Sequence, residues 1–214
     1  MPGMDLVLSV SRGLARTDNP DALFSDKAFL SVRPGILKDA NYTCAACHFR
    51  SEKYTEVHHK DGNHTNHDRS NLVPLCRMCH LSQHIGYVGA QNGATLFLSS
   101  HPQPVINNIV RSLWVAKYGK HQALKQQAIA MLETLAGFKE QVERRYGYSS
   151  CLQLANELAS QDQNKYENRD RYLSHIRIVY NESLFSDQIR YWVTEAYSPY
   201  KTEEWERIYK QFVA

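Results

Sequence analysis

Four of the five cysteines form two Cys-x-x-Cys pairs, Cys44 with Cys47 and Cys76 with Cys79. Two thiolates three residues apart can bind one ion, and two such pairs complete the tetrahedral all-sulfur site that zinc prefers. Because four protein ligands leave no open position for a substrate, the pattern predicts a structural zinc ion. Four unrelated buried thiols would need two accidental pairs, and a redox centre would need only one pair within a βαβ unit. Cys151 is left over and is predicted to be a plain buried thiol.

Histidines are concentrated around the two cysteine pairs, with seven of the ten in residues 42–84. An imidazole titrates near neutrality, so it can act as a general base or as a neutral metal ligand. Taken singly, His58 and His59 are compatible with polar strand residues. Beside Asn71 and His80, a functional site is the favoured interpretation. The other four are expected to be solvated turn residues, His64 and His67, or surface and capping groups, His48 and His84.

The stretch from Glu56 to His80 resembles the HNH nuclease motif in its zinc-ribbon variety, a ββα-metal fold. The shared features are the histidine doublet, an asparagine before a short apolar strand, and a Cys-x-x-Cys-His sequence at the start of a helix. Residues Arg33 to Cys44 also resemble the usual lead-in of this family, a short helix that runs into the first cysteine pair. The combined pattern therefore runs from Arg33 to His80.

The HNH resemblance implies a role for each matching residue. His59 would be the general base that takes a proton from the attacking water, and Asn71 would fix the loop and orient His59. His58 and His80 would bind a single divalent cation, Mg2+, Mn2+ or Ni2+, that stabilises charge on the scissile phosphate. The implied activity is that of a metal-dependent endonuclease that nicks DNA.

A second and longer resemblance is carried by stretches on both sides of His80. In chain order these are Asp61–Asn66, Ser70–Val73, Gly86–Leu98, the helix after Pro104, Val142–Gly147 and Phe185–Trp192. They resemble the IcmJ/DotN proteins of type IVB (Dot/Icm) secretion systems. Such proteins are similar to HNH domains in fold, but they serve as subunits of the coupling complex. There they are bound to the DotL-like coupling ATPase that delivers cargo to the secretion channel.

Two functions follow from these resemblances. One is a zinc-stabilised adaptor whose C-terminal helices bind the tail of the coupling ATPase; the other is the endonuclease. The secretion subunits keep the cysteine pairs but have lost much of the histidine doublet and the last histidine, whereas this chain retains both. It is interpreted as a catalytically competent relative, for example from a conjugative element with DNA as cargo, or as a chain that keeps these residues for structure. The adaptor is favoured because it accounts for residues 86–197.

The elements that must position these residues are predicted from hydrophobic periodicity. Apolar residues at helical spacing predict two packed helices, over residues 106–114 and 123–135, the second ending before Gly137. Further amphipathic stretches predict helices over residues 151–158, 172–180, 184–197 and 202–213. Residues 161–171 are polar and poor in apolar side chains, which predicts a loop.

Strand signals are fewer. The turn residues 91–94 lead into a predicted strand at residues 95–98, and residues 6–11 predict another short strand. With the ββα-metal module these elements predict an α+β fold in which helices outnumber strands. The predicted division is an N-terminal extension, an HNH-like zinc-binding module and a helical region packed on it: residues 1–33, 34–100 and 101–214.

Length and composition bound the fold and the location. The chain has 214 residues, of which 43% are hydrophobic, enough to bury a core. Its formal charge of +3 is too small to identify a nucleic-acid binder and excludes none, so DNA stays open as a partner. The sequence lacks a signal-peptide pattern and a run of about 20 apolar residues. A cytoplasmic protein without membrane insertion is predicted, and the IcmJ/DotN resemblance implies recruitment to the inner membrane through the secretion complex.

Overall fold

The architecture of the chain comes from a computed structural model, which describes Met4 and residues 6–11, 22–199 and 204–205. Within these ranges the fold is mixed α/β, with two separate two-stranded antiparallel sheets and a C-terminal half made mainly of helices. The prediction of mixed helix and strand with a helical C-terminal half is confirmed. The predicted helix over residues 202–213 falls outside the described residues, apart from Glu204 and Trp205.

The first sheet is a hairpin with one helix before it and another directly after it. These elements are α1 (Ala22–Asp39), β1 (Thr55–His59), β2 (Leu72–Cys76) and α2 (Arg77–Leu81). The strands pair so that His58 lies opposite Val73. Successive side chains of a strand point to opposite faces. Val57 therefore packs with Ile36 of α1, while the ring of His58 lies 5.2 Å from that of His80 in α2.

The second sheet pairs β3 (Ala94–Leu98) with β4 (Ile176–Tyr180) in antiparallel register, with Leu96 opposite Ile178. The predicted strand at residues 95–98 is confirmed. The predicted helix over residues 172–180 is wrong, because its C-terminal part is β4. Buried side chains alternate along this strand with half-buried ones, and three of the five residues are β-branched, which favours a pleated conformation.

The remaining helices form the C-terminal half and the connection to it. They are α3 (Ile85–Ala90), α4 (Gln103–Tyr118), α5 (Gln122–Gly137), α6 (Lys139–Tyr146), α7 (Cys151–Ala159), α8 (Gln163–Glu167), α9 (Arg169–Tyr172) and α10 (Ser186–Tyr191). A 3-10 turn, Glu182–Phe185, precedes α10, and a π-helical turn, Trp192–Ala196, continues it. Helices predicted over residues 106–114, 123–135 and 151–158 are thus confirmed.

Two further predictions about local structure are wrong. Residues 161–171 contain α8 and the start of α9, because the side chain of Asp162 accepts a hydrogen bond from the backbone N of Lys165 and begins a helix. Residues 6–11 are not a strand. Their backbone bonds go to a helix connection: Ser9 N donates to Ser82 O, and Ile85 N donates to Ser9 O.

The main hydrophobic core joins the cysteine-rich region to the helical half. One cluster of buried residues includes Leu75 of β2 and Met78 of α2, together with Trp114, Phe185 and Trp192 from the C-terminal half. Helix α1 spans the predicted boundary between residues 33 and 34. Within the described residues, the helices fall short of the length and apolar character needed to cross a bilayer.

Candidate functional site

The four cysteines of the two pairs converge within the main core. Their Sγ atoms all lie within 4.8 Å of one another, and those of Cys47 and Cys76 are 3.6 Å apart. Zn–S bonds of about 2.3 Å in a tetrahedron separate the sulfurs by about 3.8 Å. All four side chains are buried. The donor set and its spacing therefore fit one tetrahedral ion such as zinc, with all four positions supplied by the protein.

Local backbone geometry places each pair. The first pair lies in a tight loop after α1, where Asn41, Tyr42 and His48 have positive φ and Cys47 N lies 3.5 Å from Cys44 Sγ as a donor. In a tight loop of this kind, backbone N–H groups point towards the sulfur of the first cysteine. The second pair is split between elements, since one cysteine ends β2 and the other lies in α2. A turn and a strand-to-helix junction thus meet at one point.

The thiols of the cluster compete for ionisation. Hydrogen bonds from Cys44, Cys76 and Cys79, in that order of strength, hold the pKa of the Cys47 thiol far below its ordinary value. Hydrogen bonds with Cys44 and Cys47 raise the pKa of the Cys76 thiol. The hydrogen bond with Cys47 opposes ionisation of Cys44, but those with Cys76 and Cys79 leave its pKa lowered as well. Two thiolates are therefore stabilised at the expense of the other two thiols, and a divalent cation at the centre would favour ionisation of all four.

Side chains of α4 point donors at these sulfurs. Asn107 Nδ2 donates to Cys79 Sγ at 3.4 Å. The Arg111 guanidinium donates to Cys76 Sγ at 3.8 Å and to Cys47 Sγ at 3.9 Å. The sequence prediction did not include these two residues, because a polar residue in a helical stretch carries no local signal that it faces the core.

A second group of metal-ligating side chains is formed by three histidines. One ring nitrogen from each of His58, His80 and His84 lies within 4.8 Å of the others, and His80 Nε2 is 3.2 Å from His84 Nε2. The prediction that His84 is a surface or capping group is wrong in part. It occupies the N-cap position of α3 without a side-chain capping bond, and its half-buried ring faces the cluster. Its spacing of four residues from His80 was the available signal.

Burial keeps two of these imidazoles neutral. Desolvation first, and then the charge of His80, lowers the pKa of His58 to about 3 and that of His84 to about 4. A neutral imidazole is the form that binds a metal. Glu56 accepts a hydrogen bond from His80 Nδ1, which leaves Nε2 facing the other rings. A carboxylate behind a histidine fixes the orientation of the ring in many metal sites.

His59 lies on the other face of β1 from His58. Its Nε2 is 3.2 Å from His67 Nδ1, and its ring packs against Phe29 and His64, each with a centroid distance of 5.1 Å. The two histidines predicted as turn residues thus surround the ring of His59. A cleft of about 320 Å³ is lined by His59, His64 and His80 together with Glu56 and Arg33.

Asn71 holds the loop that follows His59. Its Oδ1 accepts from the backbone N of Asp61, and its Nδ2 donates to Asp61 Oδ1 and to the carbonyl of Asn66. These bonds tie the two ends of the loop together at the base of the hairpin. Loop fixation by Asn71 therefore agrees with its geometry, and direct orientation of His59 by Asn71 stays a prediction.

Comparison with known proteins gives one relationship over most of the chain. No protein-family model matches the sequence. The chain is similar to the type 4 apparatus protein DotN of Legionella pneumophila subsp. pneumophila strain Philadelphia 1, with 25% identity over 176 residues, 80% of this chain and 82% of that protein. Most of this alignment lies outside residues 42–84. The similarity supports the relationship to the Dot/Icm secretion family predicted from the sequence.

Proposed function

We propose that the chain is an IcmJ/DotN-like subunit of a type IVB (Dot/Icm) secretion or conjugation apparatus, and that it binds the DotL-like coupling ATPase. The observation that carries the proposal is the length of the similarity to DotN, 176 residues and 80% of the chain. A relationship confined to the metal-binding residues would be far shorter. The subunit would be recruited to the inner membrane through the complex.

The proposed architecture is an HNH-like ββα-metal module over residues 34–100, with the helical region from residue 101 onward packed on it. Cys44, Cys47, Cys76 and Cys79 would hold a structural zinc ion. Support comes from the convergence of the four sulfurs within 4.8 Å and from the order hairpin then helix, β1, β2 and α2. Zinc would pin a region whose own elements are only five residues long.

Binding to the ATPase is tested by co-purification with the full-length coupling ATPase of the same secretion system. The helical half has a groove of about 500 Å³, which is lined by Tyr118, Ile189, Val193 and others. We propose this groove as the binding surface and test it with a substitution at Tyr118. Tyr118→Asp places a charge in this groove, and we expect it to weaken binding about tenfold or more, as loss of an interface anchor does.

Tyr87→Asp is the matched control. Tyr87 is 54% exposed and Tyr118 is 50% exposed, but Tyr87 lies on α3, outside the groove. We expect Tyr87→Asp to bind like the parent chain in a calorimetric or interferometric titration. An absence of binding between the parent chain and the ATPase would overturn the adaptor proposal. An equal loss of ATPase affinity in Tyr87→Asp and Tyr118→Asp would contradict the groove as the binding surface.

The second candidate is a metal-dependent endonuclease, and the arrangement of the histidines favours it. His58, His80 and His84 could hold one divalent cation through neutral nitrogens and leave positions open for phosphate oxygens. His59 lines the same cleft as His80. As general base it would take a proton from water there, with the Arg33 side chain at the cleft wall. DNA is the implied substrate.

Nicking of supercoiled plasmid in Mg2+, Mn2+ or Ni2+ is the measurement for this candidate. We expect His59→Ala to lower the nicking rate by about 10²- to 10⁴-fold, the usual contribution of a general base. His84→Ala should lower it through loss of the cation, with the cysteine-bound zinc retained. His175 is an exposed histidine that belongs to neither histidine group. The control variant His175→Ala should therefore nick plasmid at the parent rate. An absence of nicking in all three metals would exclude the enzyme and leave the adaptor untouched.

A further inference from the structure

Arg111 is a charged side chain in the interior of the protein. It lies in α4 and is 1% exposed. Its Nε donates to the hydroxyl of Tyr197 at 3.1 Å, and its guanidinium is stacked 3.8 Å from the ring centroid of Phe49. The two terminal nitrogens reach Cys76 Sγ at 3.8 Å and Cys47 Sγ at 3.9 Å, and one of them also donates to Asn108 Oδ1.

A buried guanidinium needs a compensating negative charge. Removing an ion from water is costly, and an aromatic face or a neutral hydroxyl returns only part of that cost. Among the ion pairs of the described residues, Arg111 has no carboxylate partner. An arginine guanidinium stays protonated in proteins, so the side chain is charged. Its terminal nitrogens face the sulfurs of Cys76 and Cys47.

We propose that Arg111 is the counter-charge of the four-cysteine metal centre. The inference rests on the zinc centre proposed above. Four thiolates around one Zn2+ carry a surplus of negative charge, and burial of that surplus would otherwise be costly. The guanidinium offsets it from one side, and Asn107 donates a neutral N–H to Cys79 Sγ.

The planar fork of arginine suits this position. Its two terminal nitrogens donate to two sulfurs that belong to different Cys-x-x-Cys pairs, whereas the ammonium of lysine is a single point charge. Arg111 lies 35 residues beyond Cys76 and 64 beyond Cys47 in the sequence, and it thereby links both pairs to α4. Metal loading and the docking of the helical half then depend on each other, because loss of the metal would leave Arg111 buried without its partner.

The first test compares zinc release from full-length variants into a chromophoric chelator. Arg111→Met keeps most of the volume and removes the charge, and Arg111→Lys keeps the charge and removes the fork. We expect zinc release about 10- to 100-fold faster in Arg111→Met, the range for loss of an outer-shell partner, and an intermediate rate in Arg111→Lys. Lys117→Met removes a charge from the same helix, where Lys117 pairs with Glu182, and should release zinc like the parent chain.

A second readout separates charge from packing. In protein produced with Co2+ in place of zinc, the energy of the thiolate-to-cobalt absorption band reports the electrostatic potential at the sulfurs. Loss of the guanidinium should shift this band to lower energy in Arg111→Met, and a merely structural role would leave it in place. If Arg111→Met does not fold, Arg111→Gln, which removes the charge but keeps an N–H donor, replaces it in both measurements. Zinc in the parent chain with unchanged release and unchanged band energy in the variants would overturn the inference, whereas a parent chain without metal would overturn the zinc centre itself.

Discussion

Cys76→Ser is expected to leave the chain without bound zinc and largely unfolded. Cys76 is 3% exposed and joins β2 to α2 at the centre of the sulfur cluster. Structural zinc contributes about 10–16 kcal/mol to small zinc domains, as much as the whole stability of an ordinary domain, which is about 5–15 kcal/mol. A hydroxyl is a poor substitute for a thiolate, so most of that contribution should be lost. Metal content by elemental analysis and far-UV circular dichroism measure the effect.

The control is Cys151→Ser, the same substitution at the fifth cysteine. Cys151 is 1% exposed and burial raises the pKa of its thiol to about 12, so it is a neutral core side chain. Burying a hydroxyl there should cost about 1–3 kcal/mol and leave the zinc content unchanged. Equal metal content and equal melting temperature in the parent and Cys76→Ser would contradict the four-cysteine centre.

Gly89→Ala is expected to disrupt the packing of α3 against α7. A Cβ at this position would lie 2.4 Å from Leu152 N and 2.6 Å from Leu152 Cα. Both are backbone atoms of α7, which cannot rotate away as a side chain could. Overpacking typically costs about 1–3 kcal/mol and more where backbone must move. Because the gain in helix propensity from glycine to alanine is about 1 kcal/mol, the clash should dominate.

Gly86→Ala is the control, because it is the same substitution three residues earlier in α3. A Cβ at Gly86 would meet Ala155 Cβ at 3.8 Å, an ordinary contact. This variant should be neutral or stabilised by up to about 1 kcal/mol. Chemical and thermal unfolding measure both, at about 2–4 °C per kcal/mol for a chain of this size. Similar melting temperatures for the two variants would contradict the close approach of α3 and α7.

Gly89→Ala should also affect the histidine cluster. Helix α3 begins at Ile85, directly after His84, so displacement of α3 moves one of the three imidazoles. The cysteine cluster lies on other elements and should retain its metal. Divalent-cation binding at the histidines is therefore expected to weaken more than zinc binding at the cysteines.

The parts of the molecule that the sequence predicted are those with local signals. The spacing within each Cys-x-x-Cys pair is a property of four consecutive residues, and so is the doublet of His58 and His59. Helices such as α4 and α7 have apolar periodicity over several turns. These patterns can be recognised in the sequence alone because residues close together in the chain determine them.

The incorrect predictions share a different cause. Strand β4 pairs with β3, about eighty residues earlier in the chain, and an isolated stretch of five residues cannot show which partner it will meet. Residues 6–11 have the composition of a strand, but their hydrogen bonds go to the connection between α2 and α3. The short helices α8 and α9 depend on caps, such as that of Asp162, more than on periodicity.

The sequence by itself determined which atoms could bind metal, because ligand type and short-range spacing are written in consecutive residues. Only the tertiary structure decided which of them meet and what surrounds them. His84 joins His58 and His80, Glu56 supports His80, and Arg111 enters the sulfur cluster from a helix that is distant in sequence. The physical reason is that burial gives charge and hydrogen bonding their strength, and burial arises only when remote segments pack together.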